Sequence, residues 1–170
     1  MIDKSELVES IIFKNGTICY TQKYSFLTRK YIKGFRIFIE FEDIEYLGIG
    51  NHMQKAEFRL DLFFLYKVRA VTELRGKVFG KKTIYKEIIG KKFLLPVNPE
   101  PEFNENSIYI NDGHTPIEVT FIEILCIEHS KVKIRFNLQI FGKIEDTLPF
   151  NLNIEKEILL DIINPKDLFI

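Results

Sequence analysis

Residues 57–70 read Glu57-Phe58-Arg59-Leu60-Asp61-Leu62-Phe63-Phe64-Leu65-Tyr66-Lys67-Val68-Arg69-Ala70. Every even position is apolar or aromatic. The odd positions are mostly charged: Glu57, Arg59, Asp61, Lys67 and Arg69. A period of two places one set on a buried sheet face and the other in water, and a helix does not have that period. The stretch is longer than an ordinary strand. A second run says the same: Val132, Ile134, Phe136, Leu138 and Ile140 alternate with Lys131, Lys133, Arg135, Asn137 and Gln139.

Working outward, Phe35, Ile37, Ile39 and Phe41 alternate with Arg36, Glu40 and Glu42, which predicts a third strand after Gly34. Residues 117–127 are apolar on both parities, the pattern of a central strand covered on both faces. Ile11 to Lys14 and Thr17 to Tyr20 flank Asn15-Gly16. Such a pair tolerates the positive φ angles of a tight type I′ turn, so a hairpin is expected there. Residues 24–33 mix aromatics with Arg29, Lys30 and Lys33 and match no single template. Gly48-Ile49-Gly50-Asn51-His52, Asn111-Asp112-Gly113 and Glu128-His129-Ser130 read as turns.

Two stretches support two readings each. In 71–92, Val71, Leu74 and Val78 have helical spacing, while Gly76, Gly80 and Gly90 each weaken a helix by about 1 kcal/mol relative to Ala. A short helix near 70–79 and a hairpin centred on Gly80-Lys81-Lys82 fit equally. Phe150, Leu152, Ile154, Ile158, Leu160 and Ile162 alternate, broken at Lys156. Yet Asn153 before Glu155-Lys156-Glu157 resembles a capped helix start ending before Pro165. The expectation is a strand at 149–154 that continues as strand or helix.

The fold class implied is mostly β: an antiparallel sandwich or partly closed barrel with long strands and at most one or two short helices. The core expected on one parity of each strand is Phe58, Leu60, Leu62, Phe64, Val119, Phe121, Leu125, Ile134, Phe136 and Leu138. The chain has 170 residues, enough for one domain with a sizeable core, and 1–170 is read as a single β-rich domain. Its 16 Phe and 7 Tyr supply roughly 150–250 Å² of buried area each. Pro96, Pro99 and Pro101 mark a surface loop at 95–106.

Composition narrows the function classes. The net charge is zero, so the basic excess of a dedicated nucleic-acid binder is missing. No basic stretch followed by an apolar one marks a signal peptide, and no apolar run reaches the roughly 18–20 residues of a spanning helix. A cytoplasmic chain without membrane contact, or one built into a particle assembled in the cytoplasm, is expected. In that setting Cys19 and Cys126, both inside apolar strand patterns, are expected as free, non-catalytic thiols.

Motifs for chemistry are sparse. There is no P-loop, dinucleotide fingerprint, Gly-x-Ser-x-Gly or His-Glu-x-x-His. Gly48-Ile49-Gly50 lacks the third glycine and the helix of a phosphate cradle. Asp112 and His114 lack the further ligands of a calcium or zinc site. Cys126 and His129 have opposite strand parity. Glu40, Glu42 and Glu45 read as the wet face of a strand. No metal or cofactor is implied, and a non-enzymatic role is expected.

The charge feature above background is the window 75–92. Arg75, Lys77, Lys81, Lys82, Lys86, Lys91 and Lys92 lie there with Phe79 and Tyr85 between them and Glu87 as the one acid. Such a cluster suits an acidic protein surface first and nucleic-acid phosphates second, or it is a solvated edge kept soluble by Lys. Acidic stretches at 40–45 and 100–105 provide a complement on the same chain. Long strands with separated charge stretches suit a protein-binding or structural subunit of a larger assembly, such as a virus or phage particle component. Its partners would be other protein subunits, including copies of itself. A cytoplasmic inhibitor or immunity-type protein binding one partner, and a small β-barrel holding an apolar ligand, are the alternatives.

Overall fold

The computed structural model describes residues 11–47, 52–66, 82–95, 104–110, 113–140 and 152–169. The described chain is mostly β. In order it forms β1 (Phe13–Ser25), β2 (Lys30–Phe41), β3 (Ile44–Leu47), β4 (Met53–Leu65), one helix α1 (Lys82–Lys86), β5 (Lys92–Leu94), β6 (Asn104–Ile110), β7 (Gly113–Glu128), β8 (Lys131–Ile140) and β9 (Leu152–Ile162). A 3-10 helix over Pro165–Phe169 follows.

The strand pairings follow a ring. β2 pairs with β1 and β4, β4 with β6, β6 with β7, β7 with β8 and β8 with β9, all antiparallel. β9 meets β1 in a parallel joint of two residue pairs, Thr17 with Asp161 and Ile18 with Ile162. That thin joint makes the architecture a partly closed barrel. β3 continues the edge of β2 along β4, and β5 continues the edge of β6 along β7.

Alternation in β4 translates directly into burial. Ala56, Phe58, Leu60, Leu62 and Phe64 are buried on the inner face, while Glu57 and Arg59 face water. β8 behaves likewise through Val132, Ile134, Phe136 and Leu138. Removing such side chains from water stabilises the fold by about 1.5–3 kcal/mol each, as an upper estimate. Rings fill the space between the walls. Phe41 stacks on Phe58 at 4.2 Å, and Tyr20, Phe64 and Tyr85 all lie within 5.5 Å of Phe35 between ring centroids. The interior of the described barrel is therefore packed with side chains, the usual state of a small barrel.

β7 departs from its expected parity. The register against β8 shifts between Val119 and Phe121 and again between Ile124 and Cys126. Each irregularity exchanges the inner and outer sets, as a bulge does. Val119 is buried, but then Ile122 and Ile124 take the inner face. Phe121 and Leu125, expected in the core, are only partly buried. Phe121 lies outside, with the Lys92 ammonium 3.6 Å above its ring.

Two further expectations are corrected, and one left open is decided. Asn15-Gly16 is not a hairpin turn. β1 runs straight through it, with its register against β2 shifting between Phe13 and Asn15. Gly16 is there for close approach: a Cβ would lie 2.5 Å from Leu160 Cδ2 and 3.0 Å from the Phe38 carbonyl oxygen. The second half of the C-terminal segment is strand throughout β9, because Ile154, Ile158 and Leu160 alternate onto the inner face against β8. Lastly, 104–106 of the surface loop expected at 95–106 belong to β6, paired with Leu60 to Leu62, and Leu95 is buried, while 96–103 lie outside the described residues. The 70–79 alternative and Gly80-Lys81 lie outside the described residues, while Lys82 opens α1 rather than a hairpin turn.

α1 and the residues after it close one end of the barrel. Ile84, Tyr85 and Ile88 are fully buried. The Tyr85 hydroxyl donates to the Ile18 carbonyl at 3.3 Å, and the Gly90 N–H donates to Ile124 at 2.7 Å. At the other end Ile11 is buried, and the Lys156 ammonium donates to its carbonyl at 2.5 Å. Lys156 breaks the alternation of β9 because its position reaches this rim, where partial burial holds its pKa below the ordinary lysine value.

Candidate protein-contact surface

The turn between β1 and β2 carries the most exposed aromatic surface described. Phe26 is 75 % exposed, Tyr31 67 % and Leu27 64 %. Isolated exposed apolar residues are ordinary, but a cluster of them marks a contact site. Here they form one cluster: Tyr24 packs edge-on against both Phe26 and Tyr31, at 5.3 Å in each case.

The backbone fixes this presentation. β1 and β2 pair out to Ser25 with Lys30, leaving Phe26–Arg29 as the turn. The buried Ser25 hydroxyl accepts the Thr28 N–H at 3.1 Å. Arg29 sits at φ 53°, a left-handed conformation that costs a non-glycine residue about 1–2 kcal/mol. Phe26 and Leu27 are thereby held at the apex.

A cationic collar surrounds that apex. Lys23, Arg29, Lys30 and Lys33 are all exposed. No Asp or Glu occurs between Ser10 and Ile39. That acid-free run, with Phe26-Leu27 inside it, is the one sequence signal that points to this surface, and the aromatic mixture of 24–33 obscures it.

Of the basic window, Arg75, Lys77 and Lys81 lie outside the described residues, as does the side chain of Lys82. Lys86 is exposed at the end of α1. Lys91 and Lys92 are exposed but engaged at home, Lys92 over Phe121 and Lys91 over Tyr66, 4.7 Å from the ring centre. Tyr66 ties this region to the hairpin. Its N–H donates to the Lys33 carbonyl at 3.2 Å, and its hydroxyl accepts from the Lys91 ammonium at 2.5 Å. The described part of the basic window and the collar thus share one end of the barrel.

The opposite end of β2 is acidic. Glu40, Glu42, Asp43, Glu45 and Glu57 gather where β2 passes into β3 and β4. Lys14, Glu40, Phe41, Asp43, Glu57, Phe58 and Arg59 line an open cleft of about 230 Å³ there. Asn15 donates to Glu40 at 2.7 Å, Arg59 pairs with Glu57, and Lys55 approaches Glu45 at 3.8 Å. Among the described residues Glu42 and Asp43 make no ion pair, and both are exposed.

The outer face of β7, β8 and β9 has a different character. Arg135 pairs with Glu157 at 2.6 Å, with Glu123 at 3.4 Å and with Glu155 at 3.5 Å, and Lys133 reaches Glu157 at 2.9 Å. The Arg135 and Lys133 hydrogen bonds hold the Glu157 carboxyl below its ordinary pKa. Charges there are mutually satisfied within the chain.

The groups singled out for chemistry do not converge among the described residues. Cys19 and Cys126 are free thiols. Burial pushes the Cys19 thiol from the ordinary 9.0 up to about 11, which leaves it a poor nucleophile at neutral pH. Cys126 is partly buried and donates to Glu128 at 3.4 Å, and both effects raise its pKa. His129 occupies the β7–β8 turn at φ 55°, and His52 is exposed. His114 lies in β7 opposite Tyr109, not in a turn, while Asp112 is outside the described residues. No three His, Cys, Asp or Glu among the described residues are arranged to hold a metal ion. No helix of the described residues is long and apolar enough to cross a membrane. Comparison with known protein families, curated proteins and solved structures gives no match to this chain.

Proposed function

We propose that this chain is a non-catalytic, protein-binding subunit of a larger multi-subunit assembly, of the kind found in a virus or phage particle put together in the cytoplasm. The β1–β2 apex carries this reading. It sets Phe26, Leu27 and Tyr31 in water inside a collar of Lys23, Arg29, Lys30 and Lys33. Exposed aromatics beside Arg are the side chains that dominate protein interfaces once a partner covers them. Arg29 supports the same reading, because an unfavourable backbone conformation is retained where a glycine would relieve it.

The test is a photoreactive amino acid placed at Leu27 and, separately, at Glu155 on the self-paired face, in the cell that makes the protein. Leu27 is expected to give discrete protein adducts that Glu155 does not. Equal labelling from both positions, or none from Leu27, refutes the contact role of the apex.

A further inference from the structure

Resting on that contact reading, we infer that the partner of the β1–β2 apex is the acidic end of a second copy of this chain, so that copies join head to tail. Charge complementarity supplies the argument. The apex offers Arg29, Lys30 and Lys33 with no acid in its stretch of sequence. Among the described residues the far end of the same strand pair offers five carboxylates, Glu40, Glu42, Asp43, Glu45 and Glu57, against four cations, Lys14, Lys55, Arg59 and the partly buried Lys156. Neither Arg29, Lys30 and Lys33 at one end nor Glu42 and Asp43 at the other make an ion pair among the described residues. Arg29, Lys30 and Lys33 at the apex and Glu42 and Asp43 at the far end are therefore open to a partner.

Apolar surface matches as well. Ile12 is 57 % exposed at the acidic end, where its carbonyl accepts the Glu42 N–H at 2.8 Å. Met53, at the start of β4, is 64 % exposed. Phe26 and Leu27 can be covered there while the collar meets the carboxylates. Nucleic acid fits the apex less well. Phe26 and Tyr31 are packed edge-on against Tyr24, and Leu27 at the apex has no ring for a base to stack on.

Geometry makes the contact intermolecular. β2 runs from Lys30 beside the apex to Phe41 beside the acidic end. At about 3.3 Å per residue its two ends are roughly 36 Å apart. One chain cannot satisfy both, whereas a repeated contact between unlike surfaces joins copies in series. A single finger-like contact is small, so the association is expected to rise with concentration rather than be permanent.

Charge reversal tests this. Sedimentation velocity would be run across a concentration series on the wild-type chain, on Arg29→Glu with Lys30→Glu, on Glu42→Lys with Asp43→Lys, on their equimolar mixture and on the chain carrying all four changes. Thermal melts confirm that each variant is folded. Each reversal alone is expected to weaken self-association at least about tenfold. The mixture and the fourfold variant should recover it, because opposite charges again face each other. A wild-type chain that stays monomeric at millimolar concentration overturns the inference, as does association indifferent to both reversals. The cross-linking separates this failure from failure of the contact reading. Leu27 adducts with a different protein, from a chain that does not self-associate, remove the head-to-tail contact and leave the subunit reading in place. No adducts at all remove both.

Discussion

β4 and the β1–β2 apex are built from the same residue types and meet opposite fates. Phe58, Leu60, Leu62 and Phe64 are at most 5 % exposed, while Phe26, Leu27 and Tyr31 are each more than 60 % exposed. Hydrophobicity does not separate them. β4 has β2 and β6 on its edges and a filled interior across its inner face. The apex extends past the last β1–β2 pair, Ser25 with Lys30, where Phe26 and Tyr31 pack edge-on against Tyr24 and stay largely in water. Apolar side chains in β4 lower the free energy of the fold, whereas those at the apex add surface that a partner can cover.

The sharpest way to break this contrast is by deletion. Leu60→Ala should destabilise the fold by about 2–5 kcal/mol in urea unfolding, as a buried leucine in a packed core does. Ile124→Ala should fall in the same class, and Leu125→Ala clearly below it, because the bulges put Ile124 and not Leu125 inside. Equal losses for Ile124 and Leu125 would refute the parity switch.

Gly34 lies between the two regions. A Cβ there would sit 2.2 Å from the Phe64 carbonyl oxygen. Backbone, unlike a side-chain tip, cannot swing aside. Gly34→Ala should therefore force β2 from β4 and cost about 1–3 kcal/mol by overpacking. A melting temperature equal to wild type would show that the strands are looser than described.

A pH series probes the covered side of β1. The folded-state pKa of Cys19 is raised from 9.0 to about 11. Folding thus favours the protonated thiol. Its contribution is fully present below pH 9 and is lost as pH rises through 11. Wild type should lose stability across this window more steeply than Cys19→Ala. Parallel curves would place the thiol in water.

The smallest effects belong to the apex. Arg29→Gly should stabilise the chain by up to about 1 kcal/mol, since glycine takes φ 53° without a Cβ clash. The pair Phe26→Ser and Leu27→Ser should change unfolding by no more than about 0.5 kcal/mol while lowering partner capture in the cross-linking assay. Loss of stability in that pair would make the apex part of the core and end the comparison.

Sequence alone determined the β class, the long strands and the inner faces of β4 and β8. Period-two alternation of Phe, Leu and Ile with charged residues leaves no other way to bury one set. Free Cys19 and Cys126 were legible in the same way, from their place in apolar strands. It also located charge stretches, but not the surfaces they form. Only tertiary structure decided that Asn15-Gly16 runs straight through β1, because the reason is a close approach of Leu160 and Phe38 from distant segments. Only tertiary structure turned β7 over twice, since a run apolar on both parities carries no phase of its own and its register comes from β8. The apex was hidden for a related reason. Exposure depends on what faces a residue, and among the described residues the pairing of β4 with β2 stops at Gly34, short of Phe26 and Leu27.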